Sequence, residues 1–149
     1  MTKLEKMSKD DIWNAVIQII SSNDYPTESK MLNELFIVFQ YYSELESGGH
    51  ESFFNWMQGD IEEVGVSDYL NDLIYVLVKI GANECAVIMK KYGYEMWQFF
   101  KALEAGEMVE DSFYQVIEIA DREYYSQDGK LEQLLEEYFV KVYPQLINE

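Results

Sequence analysis

The side chains in this chain that could do covalent or metal chemistry are few. There is one histidine, His50, and one cysteine, Cys85, so no Cys/His zinc set can be assembled. No histidine lies near Cys85 in sequence to activate it as a nucleophile, and within "NECAVIMKKYG" the thiol reads as buried packing. His50 follows a glycine pair in "ELESGGHESFFNW", residues 44 to 56. Two glycines before a histidine have neither the spacing nor the lysine of a phosphate-cradling loop. There is no G-x-S-x-G elbow, and "DIEEVGVSD" lacks the alternating D-x-[DN]-x-[DN]-G of a calcium loop. No catalytic, cofactor-binding or metal-ligating residue is assigned. The expected role is non-enzymatic, and His50 is read as a corner residue without a chemical partner.

What the chain has in excess is carboxylate. Asp and Glu number 28 against 11 Lys and Arg, a formal net charge of -17. The excess is regional. Residues 10–75 hold 13 acids and one lysine, and residues 101–149 hold 12 acids and four basic residues. A DNA backbone or an anionic membrane would be repelled over a Debye length of about 8 Å, so the electrostatic partner is a basic protein surface. The candidate partner-binding residues are Asp60, Glu62, Glu63 and Asp68 in "GDIEEVGVSD", and Glu107, Glu110 and Asp111 in "EAGEMVED". Glu132, Glu136 and Glu137 on the last helix could extend the surface. The simpler reading of such charge is solubility alone.

The elements that must position these groups are helices. The chain is 48% hydrophobic and 15% aromatic, enough for one domain over residues 1–149, and no alternating strand pattern persists. The class is all-α: a single compact bundle of seven or eight helices with a Gly-Gly corner. Ser8 and Asp11 form a capping-box start for a helix facing inward through Ile12, Trp13, Val16, Ile17 and Ile20. A second helix runs from about residue 28 to 46 through Leu32, Leu35, Phe36, Phe39, Tyr42 and Leu45. Gly48 is placed to stop it in the left-handed conformation, and Gly49 to reverse the chain.

Phe53, Phe54, Trp56 and Met57 then plug the core on a short helix before a loop at "QGDIEEVGVS". Ser67 or Asp68 caps a helix carrying Tyr69, Leu70, Leu73, Ile74, Leu77 and Val78, which Gly81 closes. Further helices begin at Asn83, ending at Gly93, and in "YEMWQFFKALEAG", "DSFYQVIEIADREYY" and "GKLEQLLEEYFVKVYPQLI". The longest apolar runs, "LFIVF" and "LIYVLV", fall far short of the ~20 residues of a spanning helix. With no export signal at the start and a single cysteine, the expected setting is the cytoplasm.

Three stretches resemble a small, acidic, all-helical bacterial family of unassigned domains that includes a DNA-mimic protein. The family's corner reads approximately E-x-x-N-G-G-F-x-Q-[FY]-[FY]-x-N. Glu44, Gly48, Gly49, Phe53 and Phe54 match it, while Ser47, His50, Ser52 and Trp56 replace its Asn, Phe, Gln and final Asn. "LNDLIYVLVKIGANECAVIMKK" is similar to its leucine-rich helix followed by I-G-A. "ADREYYSQDGKLEQLLEEYFVKVY" is similar to its closing D-x-x-[FY]-Y, linker and L-x-x-L-L-x-x-Y helix. The resemblance implies an all-α fold and a protein-binding role, and carries over no catalytic residue.

The leading expectation is an acidic module that engages a basic protein, with a DNA-mimic regulator as its sharpest form. The alternative is an immunity protein or antitoxin that neutralises a basic toxin such as a nuclease, where the same charge gives fast association. Neither form contacts nucleic acid or membrane directly, and both are compatible with a homodimer.

Overall fold

The computed structural model describes residues 7–148; the first six residues, read above for an export signal, lie outside them. Every regular element among the described residues is helical. None is long and apolar enough to cross a membrane.

Helix α1 (Lys9–Ser21) starts on the expected capping box: Asp11 N donates to Ser8 Oγ at 3.1 Å, and Ser8 N to Asp11 Oδ2 at 3.3 Å. Ile12, Val16 and Ile20 are buried, and Trp13 packs on Phe139 at 4.9 Å between ring centroids, with Tyr42 edge-on at 5.7 Å. Helix α2 (Lys30–Val64) is capped by Ser29 and broken internally at Gly48 and Gly49. Its central inward residues are Leu35, Val38, Tyr41 and Leu45, all fully buried. Of the apolar stripe read above, Leu35 and Leu45 are thus fully buried, while Leu32, Phe36, Phe39 and Tyr42 are partly buried and form one flank. The buried surface is wider than that stripe because α2 packs against both α1 and α3.

Beyond the glycines α2 continues to Val64, where a loop was expected from residue 58. Met57 and Ile61 continue the buried face of Phe53 and Phe54, so apolar spacing carries the helix through its charged turns. Gly65, at φ 100°, is the whole corner between α2 and α3 (Val66–Lys79). Neither Ser67 nor Asp68 caps α3, since both lie inside its first turn. Tyr69, Leu70, Leu73, Val76 and Leu77 are buried and Val78 is exposed. Gly81, at φ 88°, closes α3 as expected. Ala82 N donates to Leu77 O at 2.8 Å and Gly81 N to Val78 O at 3.0 Å, the paired bonds of a left-handed helix stop.

Gly93 does not end a helix. Helix α4 (Asn83–Ile88) runs through a π-helical turn (Met89–Gly93) into α5 (Tyr94–Glu104) without interruption. A Cβ on Gly93 would lie 3.2 Å from Met89 Cε and 3.5 Å from Leu70 Cδ1, so the glycine serves close approach to α3. Helices α6 (Glu110–Tyr125) and α7 (Lys130–Leu146) complete the chain. Among the described residues the helical rods number six, fewer than the seven or eight expected, because Gly93 is no break and the Gly48–Gly49 corner is a kink within α2. One apolar cluster runs from Ile12 to Leu146 through every rod.

Candidate functional site

The glycine pair resolves into two different jobs. Gly48 has φ -165°, an extended conformation open to any residue, and it is Gly49, at φ 77°, that needs the left-handed region. The assignment of the helix stop to Gly48 is therefore corrected to Gly49. Gly49 is buried, and a Cβ there would stand 2.6 Å from Asp121 Oδ2 and 2.9 Å from Asp121 Cγ. The absent side chain is the space in which the Asp121 carboxyl sits.

Asp121 reaches the corner from α6. Its Oδ1 accepts from the His50 backbone N at 2.9 Å and lies 2.7 Å from His50 Nδ1. His50 Nε2 lies 2.8 Å from the Tyr41 hydroxyl. The carboxylate accepts, so Nδ1 carries the hydrogen and Nε2 accepts from Tyr41. Burial, then the neighbouring Cys85, Tyr124, Asp121 and Tyr125, holds the Tyr41 hydroxyl well above its ordinary range, so it stays protonated and able to donate. The break in α2 leaves backbone groups without helical partners. Asp121 takes the N–H of His50 on one side, and the Tyr125 hydroxyl donates to the Leu45 carbonyl on the other. The Tyr124 hydroxyl donates to Glu46 Oε2 at 3.1 Å, and Ser52 Oγ donates to Glu44 Oε1 at 2.7 Å across the break. His50 was expected to have no chemical partner and has two. Fully buried, it works as a strut.

The acidic residues fall into separate groups. Gly65 folds the last turn of α2 against the first turns of α3, and Asp72, Asp60 and Glu63 all raise the hydroxyl of Tyr25 after the leading effect of burial. Tyr25 stacks on Phe36 at 4.4 Å between ring centroids. Burial, then Glu63, pushes the Asp60 carboxyl up; burial, then Asp68 and Glu34, does the same to Asp72 against the opposing pull of Lys30. Asp60, Glu63 and Asp72, the last omitted by the sequence reading, thus all act on the Tyr25 hydroxyl, and Asp68 acts on Asp72. Glu62 turns away. It accepts from Lys101, which also bonds Glu104 at 3.0 Å, and from Gln58 Nε2 at 3.2 Å; the Lys101 bond first, then that from Gln58, holds its carboxyl below the usual range. Glu107, Glu110 and Asp111 are exposed around the turn into α6, where Glu110 neighbours the Tyr114 hydroxyl, which donates to Glu51 Oε2 at 2.8 Å. Among the described residues no hydrogen bond or ion pair links that group to the first.

The two groups differ in what they do for their helices. Glu110 and Asp111 lie in the first turn of α6, where a negative charge complements the exposed N–H groups. Asp60, Glu62 and Glu63 lie at the end of α2, whose last turn carries no basic residue. Each opposes the helix dipole there. Lys101 offsets Glu62. Among the described residues no ion pair reaches Asp60, Glu63 or Asp68, while Lys9, Lys79, Lys101 and Lys130 are all engaged by carboxylates.

A protein-family model described as DMP19-like protein matches residues 27–142. The chain belongs to the DMP19-like family. No curated protein and no solved structure matches it. The matched range of this DMP19-like chain takes in the glycine corner, the acidic patch and Asp121, and leaves α1 outside.

The corner that sequence singled out through Glu44, Gly48, Gly49, Phe53 and Phe54 is real, with both phenylalanines fully buried. Trp56, expected beside them in the core, is 70% exposed, because it falls on the opposite face of the continuing helix. Asp121, Tyr124 and Tyr125 were missed as parts of the corner. The D-x-x-Y-Y spacing was visible, but its meeting with a glycine pair 71 residues away belongs to the tertiary structure.

Proposed function

We propose that this DMP19-like chain is a protein-binding module that presents its acidic surface to a basic, DNA-binding protein and occupies it as a mimic of the DNA backbone. The observation that carries the reading is the end of α2. Asp60 and Glu63 stand at the helix terminus where negative charge is least welcome, without an ion pair and in mutual repulsion, and with Asp72 they raise the same Tyr25 hydroxyl. Charge kept for solubility alone has no reason to gather there, whereas a basic partner would offset that repulsion on binding. The resemblance to a family with a DNA-mimic member supports the same reading.

The test is capture of proteins from native lysate on the immobilised full chain at low salt, followed by elution with duplex DNA. Release of a DNA-binding protein by duplex DNA, with association slowed by Asp60→Asn plus Glu63→Gln, is the expected result. A captured basic protein that duplex DNA does not displace overturns the mimic form. If it is a nuclease whose activity the chain abolishes, the immunity reading replaces it.

A further inference from the structure

The largest exposed aromatic side chain lies on the same helix face as the unpaired carboxylates. Trp56 is 70% exposed, Trp13 is partly buried and Trp97 is only 8% exposed. Residues 56, 59, 60 and 63 follow the three- and four-residue spacing of one helix face. Asp60 is therefore about 6 Å along the axis from Trp56, and Glu63 about 10 Å. Between them Gly59 is exposed, and a Cβ built on it would meet nothing within 4 Å. The face is a flat indole, a bare stretch of backbone and two carboxylates, while Phe53, Phe54, Met57 and Ile61 fill the opposite, buried face.

We infer that Trp56 is the anchor of the acidic surface and takes an arginine side chain of the basic partner, its guanidinium stacked on the indole and paired with Asp60 or Glu63. The inference rests on the proposed engagement of a basic protein and adds which chemistry that protein presents. Charge complementarity selects the occupant. A lysine satisfies the carboxylates but gains less from the ring, whereas a guanidinium is planar, weakly hydrated and able to stack and to form paired N–H bonds together. A nucleic acid would also stack on an indole, but its phosphates would be repelled by Asp60 and Glu63. Trp and Arg are the residues that most often dominate binding energy at interfaces. The raised carboxyl of Asp60 is consistent with a site that gains from an incoming cation.

The experiment is fluorescence anisotropy with labelled octa-arginine and octa-lysine peptides of equal charge, titrated with the full chain at low and high salt. Wild type should bind the arginine peptide at least about threefold more tightly than the lysine peptide. Trp56→Ala should remove that preference by weakening the arginine peptide alone, and Trp56→Phe should keep part of it. Asp60→Asn plus Glu63→Gln should weaken both peptides. Equal binding of the two peptides, or an arginine preference untouched by Trp56→Ala, overturns the anchor while salt-sensitive binding of both leaves the acidic-surface reading standing. Failure of both peptides to bind removes both. Sedimentation of wild type and Trp56→Ala gives the remaining outcome: a dimer that dissociates in the variant assigns Trp56 to a second copy of this chain and overturns the arginine site.

Discussion

Asp121 and His50, 71 residues apart, are joined twice through a single oxygen: Asp121 Oδ1 is 2.9 Å from the His50 backbone nitrogen and 2.7 Å from its ring Nδ1. One carboxylate thereby supplies a cap to the second half of α2 and fixes the orientation of a buried imidazole. Gly49 is the condition for both, since only an absent Cβ lets α6 bring the carboxyl this close.

Substitution at the corner should therefore be asymmetric. Gly49→Ala forces a left-handed backbone on a residue with a Cβ and drives that Cβ into Asp121, and it should cost about 2 kcal/mol or more. Gly48→Ala meets only the Ser52 side chain, with Cβ at 2.9 Å and no unusual φ, and should cost about 1 kcal/mol. Urea melts of the two variants check the order. Equal costs would show that Asp121 moves aside without penalty.

Removing the strut should be worse than removing its outer bond. His50→Ala leaves a cavity and a buried Tyr41 hydroxyl without its acceptor, while the backbone N–H of residue 50 keeps its bond to Asp121, for about 3 kcal/mol. Tyr41→Phe leaves only Nε2 unsatisfied, for about 1–2 kcal/mol. A double-mutant cycle on the pair should return a coupling of opposite sign to simple addition, since the second change removes a group the first has already orphaned. Strict additivity would mean the two side chains do not share a bond in solution.

Cys85 is fully buried, its Sγ lies 3.6 Å from Gln127 Oε1, and burial pushes the thiol up to about 11. A thiol reagent at neutral pH should thus modify the folded chain far more slowly than the urea-unfolded chain. The sign follows from the shift: the folded state favours the neutral thiol, so its contribution to stability is present below the unfolded value and is lost as pH rises through about 11. Rapid labelling of the native chain at neutral pH would contradict the burial.

Asp72 offers a pH test of the acidic patch. Its carboxyl is raised from 3.8 by burial, Asp68 and Glu34, so the fold disfavours the charged form. Whatever stability the neutral form gives is present in acid and is lost as pH rises through the raised folded value. Asp72→Asn should consequently stabilise the chain at pH 7, by about 0.5 kcal/mol at so exposed a site, and leave it unchanged near pH 3. A variant equally affected at both pH values would point to lost contacts in place of charge.

The helical class was legible because apolar residues recur at three and four positions throughout, and the Ser8 cap and the Gly81 stop were legible because each is a local interaction within one turn. Trp56 and the turns after it were misread for the opposite reason. Acidic residues and two glycines imitate a loop, and only the burial of Met57 and Ile61 against other helices shows that the rod continues. The acidic candidates were found by composition, yet their division into a favoured group at the start of α6 and an opposed group at the end of α2 depends on where the helices end. Asp121 could be seen only as a carboxylate among many.

The π-helical turn at Met89–Gly93 gives the rod from Asn83 to Glu104 a phase slip. A π turn holds one residue more than the α-helical turn it replaces, which sets everything after it back by about 100° relative to an uninterrupted α-helix of the same length. Cys85 and Ile88 before the slip and Met96, Trp97 and Phe100 after it are all buried. Deleting Lys90 or Lys91, the exposed residues of the turn, should therefore convert it to regular α-helix with the three later side chains still facing the interior. The rod is two half-helices joined at a dislocation, and that turn is the place where its length can change by one residue without exchanging an inside for an outside.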